Sequence, residues 1–261
     1  MIGRFIGRRM PADLIVPPLE VHYQPVVELT TGCVVGCEAL VRFIGPDGSL
    51  ISPAVDGLID RIEKHDASLN HLLDRLFEGV ARDMIPLFAQ FPGFYVSINV
   101  PPVTLGSGVI ARLLPTHGLT PHLGRLVCEI TERQAMTDLG RAALADARRI
   151  GIRVAVDDFG TGESGLRQLM GLEFDILKID RSQITPLLKD PLAERLLRGV
   201  VALAGALRVK ITAEGVETAE QALFVRAAGV DCGQGWYWSK ALPAREFAAL
   251  LRGGHCEPVA A

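Results

Sequence analysis

The chain has 261 residues, is 49% hydrophobic and 22% charged, and carries a formal net charge of −3. Those figures fit one globular domain with a large core, and the lack of a dominant basic stripe argues against a nucleic-acid polymer as partner. No apolar run approaches the roughly 18 residues needed to cross a membrane, so no membrane contact is expected from this domain itself.

Residues 1–10 carry Arg4, Arg8 and Arg9 but no long apolar segment, so they do not read as a secretory signal. The β-rich runs follow in chain order: Val21–Leu29, Cys37–Phe43, Tyr95–Val100, Leu126–Thr131, Arg153–Asp158, Asp175–Asp180, Val209–Glu214 and Asp231–Trp238. Helical stretches lie between them. Ser52-Pro53 reads as a helix start. Met136, Leu139, Ala143, Ala147 and Ile150 recur at helical spacing, as do Leu192, Leu196, Val200, Ala204 and Leu207. Thr218 with Gln221 three residues on reads as a capping box.

Eight strands with interspersed helices fit an α/β fold, a single-domain (β/α)8 TIM-like barrel that admits one irregular strand direction. An open doubly wound sheet is the alternative. Asn99, Glu129, Asp157, Asp158, Lys178 and Glu214 each fall at or near the end of an apolar run. A barrel gathers such ends at one mouth, whereas an open sheet spreads them along a line, and this favours the barrel. The domain is expected over 20–252, with an extension at 1–19 and a tail at 253–261. Cys33, Cys37, Cys128, Cys232 and Cys256 show no zinc-type pairing and read as small hydrophobes in a reducing, cytoplasmic setting.

The densest chemistry lies in Val154-Ala155-Val156-Asp157-Asp158-Phe159-Gly160-Thr161-Gly162. Extended residues alternate faces, so both aspartates serve one site only if the chain begins to turn there, which the glycines permit. Two fixed anions at a strand end suit a divalent metal, although Asp pairs in plain turns are equally common. Taken singly, other candidates also have bland readings. Glu38 could pair with Arg42, Asn99 could start a turn, and Lys178 could form a core ion pair. Glu129 among apolar neighbours is harder to dismiss, because an unpaired carboxylate there is expensive. Trp236, Tyr237 and Trp238 could stack on a purine, but packing is the plainer role.

Read together, the motifs resemble the EAL family of bacterial cyclic di-GMP phosphodiesterases. They are Tyr23-Gln24-Pro25, Glu38-Ala39-Leu40-Val41-Arg42, Ser97-Ile98-Asn99-Val100, Glu129-Ile130-Thr131-Glu132, Asp157-Asp158-Phe159-Gly160-Thr161-Gly162, Lys178-Ile179-Asp180, Ala213-Glu214-Gly215-Val216-Glu217-Thr218 and Gln234-Gly235, in the family's order. The resemblance implies hydrolysis of cyclic di-GMP to linear pGpG with two divalent cations, Mg²⁺ or Mn²⁺. Glu38, Asn99, Glu129 and Asp157 would hold one ion, and Asp157, Asp158 and Glu214 the second. Lys178 would orient the attacking water and Glu214 would act as general base. Gln24, Arg42 and Gln234 would contact substrate, while Glu132 and Glu217 would support the loops. The resemblance also implies a homodimer. A catalytically silent receptor for the nucleotide or a partner protein is the alternative, but this chain keeps the lysine and the metal-ligand pattern.

The chain departs from the family at Gly162-Glu163-Ser164-Gly165, where Gly-Tyr-Ser-Ser is usual, and over Ile51–Asp66. Its closing motif, Gln234 to Pro243, is similar to that of membrane-anchored members, so a cytoplasmic domain of an anchored sensor is a further expectation.

Overall fold

A computed structural model describes residues 16–53, 57–135, 137–160 and 171–254. Glu163, Gly165, Met136 and the divergent Ala54-Val55-Asp56 lie outside the described residues.

Ten strands form one sheet: β1 (Leu19–Glu28), β2 (Val34–Ile44), β3 (Leu50–Ile51), β4 (Tyr95–Asn99), β5 (Leu126–Thr131), β6 (Arg153–Phe159), β7 (Ile176–Ile179), β8 (Lys210–Ala213), β9 (Cys232–Gly233) and β10 (Leu242–Pro243). Eight of them close a ring in the order β1-β9-β8-β7-β6-β5-β4-β2, with β2 returning to β1. This is the expected barrel. From β2 through β9 the ring strands run parallel, while β1 is antiparallel to both neighbours, the irregular direction the barrel admits. The cause is local. Only residues 29–33 join β1 to β2, with Gly32 at φ 73, and a parallel partner would need a crossover of a dozen or more residues.

The helices described are α1 (Leu58–Glu63), α2 (Asp66–Gln90), α3 (Pro102–Gly106), α4 (Val109–Thr116), α5 (Glu132–Ala135), α6 (Asp138–Ile150), α7 (Arg181–Ile184), α8 (Pro191–Leu207), α9 (Ala219–Ala228) and α10 (Ala244–Arg252). Among the described residues, no helix is long and apolar enough to cross a membrane. Thr218 and Gln221 form the expected capping box at the start of α9. Thr137 caps α6 through the Gly140 N–H, and Gly151 ends it in the left-handed region.

Leu50 and Ile51 pair with Ile44 and Phe43 as a hairpin, and α1 is described from Leu58. The expected helix start at Ser52-Pro53 runs into Ala54-Val55-Asp56 and so falls outside the described residues. One expectation needs correction. The last predicted strand, Asp231–Trp238, keeps strand pairing only at Cys232–Gly233. The chain then turns, with the Trp238 and Ser239 N–H groups both donating to the Gly235 carbonyl. Gly235 lies against the Val216 backbone, where a Cβ has no room.

Register decides what the barrel interior holds. Paired residues share a sheet face, and faces alternate along each strand. Gln24 pairs with Glu38, Glu38 with Ser97, Asn99 with Glu129, Thr131 with Asp157, and Lys178 with Thr212. These residues therefore point inward. Their neighbours Val96, Ile98, Cys128, Ile130, Val154, Val156 and Leu177 point outward and are buried in the main core.

Candidate active site

The inward set converges on Lys178 in β7. Its ammonium lies 2.6 Å from Glu129, 2.6 Å from Glu214, 3.4 Å from Asp157 and 3.6 Å from Glu38. Glu129 comes from β5, Asp157 from β6 and Glu38 from β2, while Glu214 directly follows β8. Lys178 and Glu129 are each only 3% exposed. One cation thus faces four carboxylates in a dry setting, leaving a deficit of three positive charges if all are ionised.

The protonation equilibria reflect that deficit. Burial disfavours the charge on Lys178, but the four carboxylates outweigh it and hold the ammonium well above the ordinary lysine range. Burial pushes Glu214 up to about 8 and Glu129 well above the ordinary carboxylate range, with Lys178 opposing both and the other acids reinforcing them. Glu38 goes the other way. Burial raises it, but Lys178 and hydrogen bonds from Gln234 and Asn99 outweigh that and hold it below its usual value.

Those bonds define a second layer. Asn99 donates to Glu38 at 2.7 Å, and Gln234 donates to Glu38 at 2.7 Å and to Gln24 at 3.1 Å. Gln24 in turn donates to the Ser239 carbonyl at 3.1 Å. The buried Oε1 of Gln234 has no hydrogen-bond partner among the described residues. Arg42 forms no salt bridge with Glu38; its guanidinium donates to the Val41 carbonyl at 2.9 Å.

At the end of β6 the chain turns as two aspartates on one site require. Asp158 is left-handed at φ 57, and the β6–β7 register slips between Val156 and Phe159. The Asp158 N–H donates to Asp157 Oδ1 at 2.9 Å, which fixes the pair relative to each other. Burial, with Asp157 and Asp180 nearby, raises Asp158 above the ordinary aspartate range. Glu132 accepts from the Gly160 N–H at 3.1 Å, just beyond this turn. Glu217 pairs with Arg181 at 2.9 Å, and both line the cleft beside the cluster.

A cleft of about 250 Å³ opens beside the cluster, lined by Gln24, Glu38, Arg181, Glu214, Gln234 and Trp236 among others. Trp238 is buried and packs edge-on against Tyr237 at 5.1 Å, the packing role expected of it. Trp236 differs. It is 54% exposed, with Arg181 and Lys240 placed 5.8 Å and 4.8 Å from its ring centre. Arg181 was not legible as a site residue, since an arginine opening a short helix reads as solvated. A larger recess of about 340 Å³ lies where β8 begins, lined by Arg208, Lys210 and Asp231 with small apolar residues. There Lys210 already pairs with Asp231 at 2.8 Å, and none of the clustered carboxylates reaches it.

Among the described residues, no three Asp, Glu, His or Cys side chains stand as a ready ligand set for an ion, because the carboxylates close on Lys178 instead. The donor chemistry nonetheless fits hard divalent cations. The cluster offers four carboxylates and one amide, without His or Cys, and the protons that burial keeps on Glu129 and Glu214 are ones a bound cation would displace.

Comparison with known proteins agrees with the motifs. The family model described as EAL domain matches residues 12–241. The chain is 36% identical over 232 residues to the probable cyclic di-GMP phosphodiesterase PdeB of Escherichia coli, covering 87% of this chain and 43% of that protein. It is 32% identical over 241 residues to the cyclic di-GMP phosphodiesterase NbdA of Pseudomonas aeruginosa, covering 90% of this chain and 30% of the other. The chain thus spans less than half the length of these two relatives. Among solved structures, the EAL enzyme Bd1971 in its cAMP- and cyclic-di-GMP-bound form superposes with TM-score 0.81 at 31% identity, over 89% of this chain and 64% of that one. The PaMucR phosphodiesterase in complex with c-di-GMP gives TM-score 0.79 at 31% identity, over 88% and 94%. On fold, motif order and family match together, this chain belongs to the EAL domain family.

Proposed function

We propose that this domain is a divalent-metal-dependent phosphodiesterase that opens cyclic di-GMP to linear pGpG. The observation that carries the reading is the buried group of four carboxylates around Lys178 at the barrel mouth, more acids than a structural ion pair with one lysine requires. Glu38, Asn99, Glu129 and Asp157 would hold one ion, and Asp157, Asp158 and Glu214 the second, Mg²⁺ or Mn²⁺. Two such ions, when bound, neutralise the phosphoryl oxygens and stabilise the leaving oxygen.

The chain's own groups do the rest. Lys178 fixes the Glu129 and Glu214 carboxylates at 2.6 Å each and presents its third N–H to the attacking water. Glu214 takes the proton from that water. Gln234, braced by Gln24, holds Glu38 in place, the two amides form the floor beneath the substrate, and Arg42 meets a phosphate. Trp236 offers an exposed ring face at the cleft to a guanine.

A homodimer is part of the same proposal. Leu192 and Leu196 on α8 are 51% and 56% exposed, and Leu188 just before them is 46% exposed, a stripe that a second copy would cover. The receptor alternative predicts binding without turnover. Chromatography of products after incubating cyclic di-GMP with Mg²⁺ or Mn²⁺ tests the proposal. Appearance of pGpG only with metal supports hydrolysis, and tight binding with no product establishes the receptor.

A further inference from the structure

The peptide unit between Phe159 and Gly160 is held at both polar ends. Its N–H donates to Oε2 of Glu132, and its C=O accepts from Nε2 of Gln183. Glu132 opens α5, directly after β5, and is 1% exposed; Gln183 sits in α7, which follows β7. β5 and β7 are the two strands flanking β6. The two side chains thus close a bridge across the end of the strand that carries Asp157 and Asp158.

That strand end needs holding. Asp158 at φ 57 occupies a region unfavourable to L-residues, and Gly160 follows at φ 92. Such conformations persist where the surroundings over-determine them. A Cβ at Gly160 would meet the Gln183 amide and push it off the Phe159 carbonyl, and the φ of 92 is what calls for glycine here. If the peptide plane were free to rotate, the left-handed turn could relax to extended backbone. Asp158 would then swing to the opposite face from Asp157.

We infer that Gln183 is a positioning residue: with Glu132 it clamps the Phe159–Gly160 peptide and so keeps both aspartates directed at one site. The consequence for metal binding rests on the two-ion reading, but the clamp itself does not. Gln183→Met removes the donor at nearly constant length, and Gln183→Asn keeps an amide too short to reach.

In metal-free protein, amide exchange at Gly160 should accelerate up to about tenfold in both variants, because losing the Gln183 bond at the Phe159 carbonyl makes local opening of the peptide easier even though Glu132 still accepts from its N–H. The carboxyl ¹³C resonances of Asp157 and Asp158 should shift, while the melting temperature stays near wild type because Gln183 is only partly buried. Mn²⁺ binding followed by electron paramagnetic resonance should weaken about tenfold. Wild-type exchange at Gly160 in both variants overturns the clamp. Faster exchange with unmoved aspartate resonances overturns the positioning role. Failure of the wild-type protein to bind Mn²⁺ would defeat the two-ion reading, while the exchange and carboxyl measurements would still decide the clamp.

Discussion

The Lys178 ammonium lies 2.6 Å from Glu129, both side chains are buried, and both point into the barrel from strands separated by β6. This ion pair makes the carboxylate cluster tolerable without metal. Lys178→Met should therefore destabilise the metal-free protein by about 3 kcal/mol, at the lower end for a broken buried pair because the carboxylates can take up protons. Mg²⁺ should recover much of that loss while turnover remains far below wild type. Urea unfolding in chelator and in Mg²⁺ measures the first effect. Equal stability of the two proteins in chelator would mean that Lys178 does not neutralise the cluster.

Asp157 contacts Lys178 through one oxygen at 3.4 Å and the Asp158 N–H through the other at 2.9 Å. It is also the proposed bridging ligand. Asp157→Asn keeps the shape and removes the charge, so turnover should fall by about a hundredfold or more while cyclic di-GMP still binds. Product chromatography with calorimetric binding separates the two effects. Turnover close to wild type would sink the bridging role.

The pH dependence of stability has a definite sign. Burial raises folded Glu214 from its ordinary value of 4.5 to about 8. Between those values the folded chain keeps a proton that the unfolded chain has released, so this group makes stability fall as pH rises. Lys178 contributes stability that is present below its unfolded value and lost only at strongly alkaline pH. Glu129, raised by the same burial, adds a decline of the same sign. In chelator, the melting temperature should decline from about pH 5 to pH 8, and Glu214→Gln should make that decline shallower. Saturating Mg²⁺ should flatten it as well, because bound cations favour the ionised carboxylate. An identical decline in Glu214→Gln would show that another group carries it.

Much of this was legible because the parallel strands have simple rules. Apolar runs ending in acids marked β5 and β6 closely, and Thr218 with Gln221 gave the start of α9. The doubled aspartates implied a turn, which appears as the left-handed Asp158. The missed features depend on contacts between distant segments. Trp236-Tyr237-Trp238 has strand-like composition, yet the close approach of Gly235 to Val216 forces a turn and leaves Trp236 at the cleft. Gln183 gave no signal, because its partner is a backbone carbonyl 24 residues away.

The exposed leucines of α8 give the last test. The spacing of Leu192 and Leu196 predicts a helix, which forms, but both face outward, and Leu197 and Ala204 supply its buried contacts. Leu188 is also held at φ 74, a costly conformation for a leucine that remains 46% exposed. Positions 192 and 196 are four apart and share one helix face, so an isologous contact would bring each stripe against its own copy. Covering half of a leucine is worth roughly 1 kcal/mol. Leu192→Asp with Leu196→Asp should therefore weaken dimerisation by about a hundredfold or more, since it also opposes like charges across the axis. Sedimentation of both proteins, with circular dichroism to confirm the fold, measures this. A folded double variant with an unchanged dimer constant would place the interface elsewhere, and a wild-type chain that stays monomeric at high concentration would remove the dimer from the proposal.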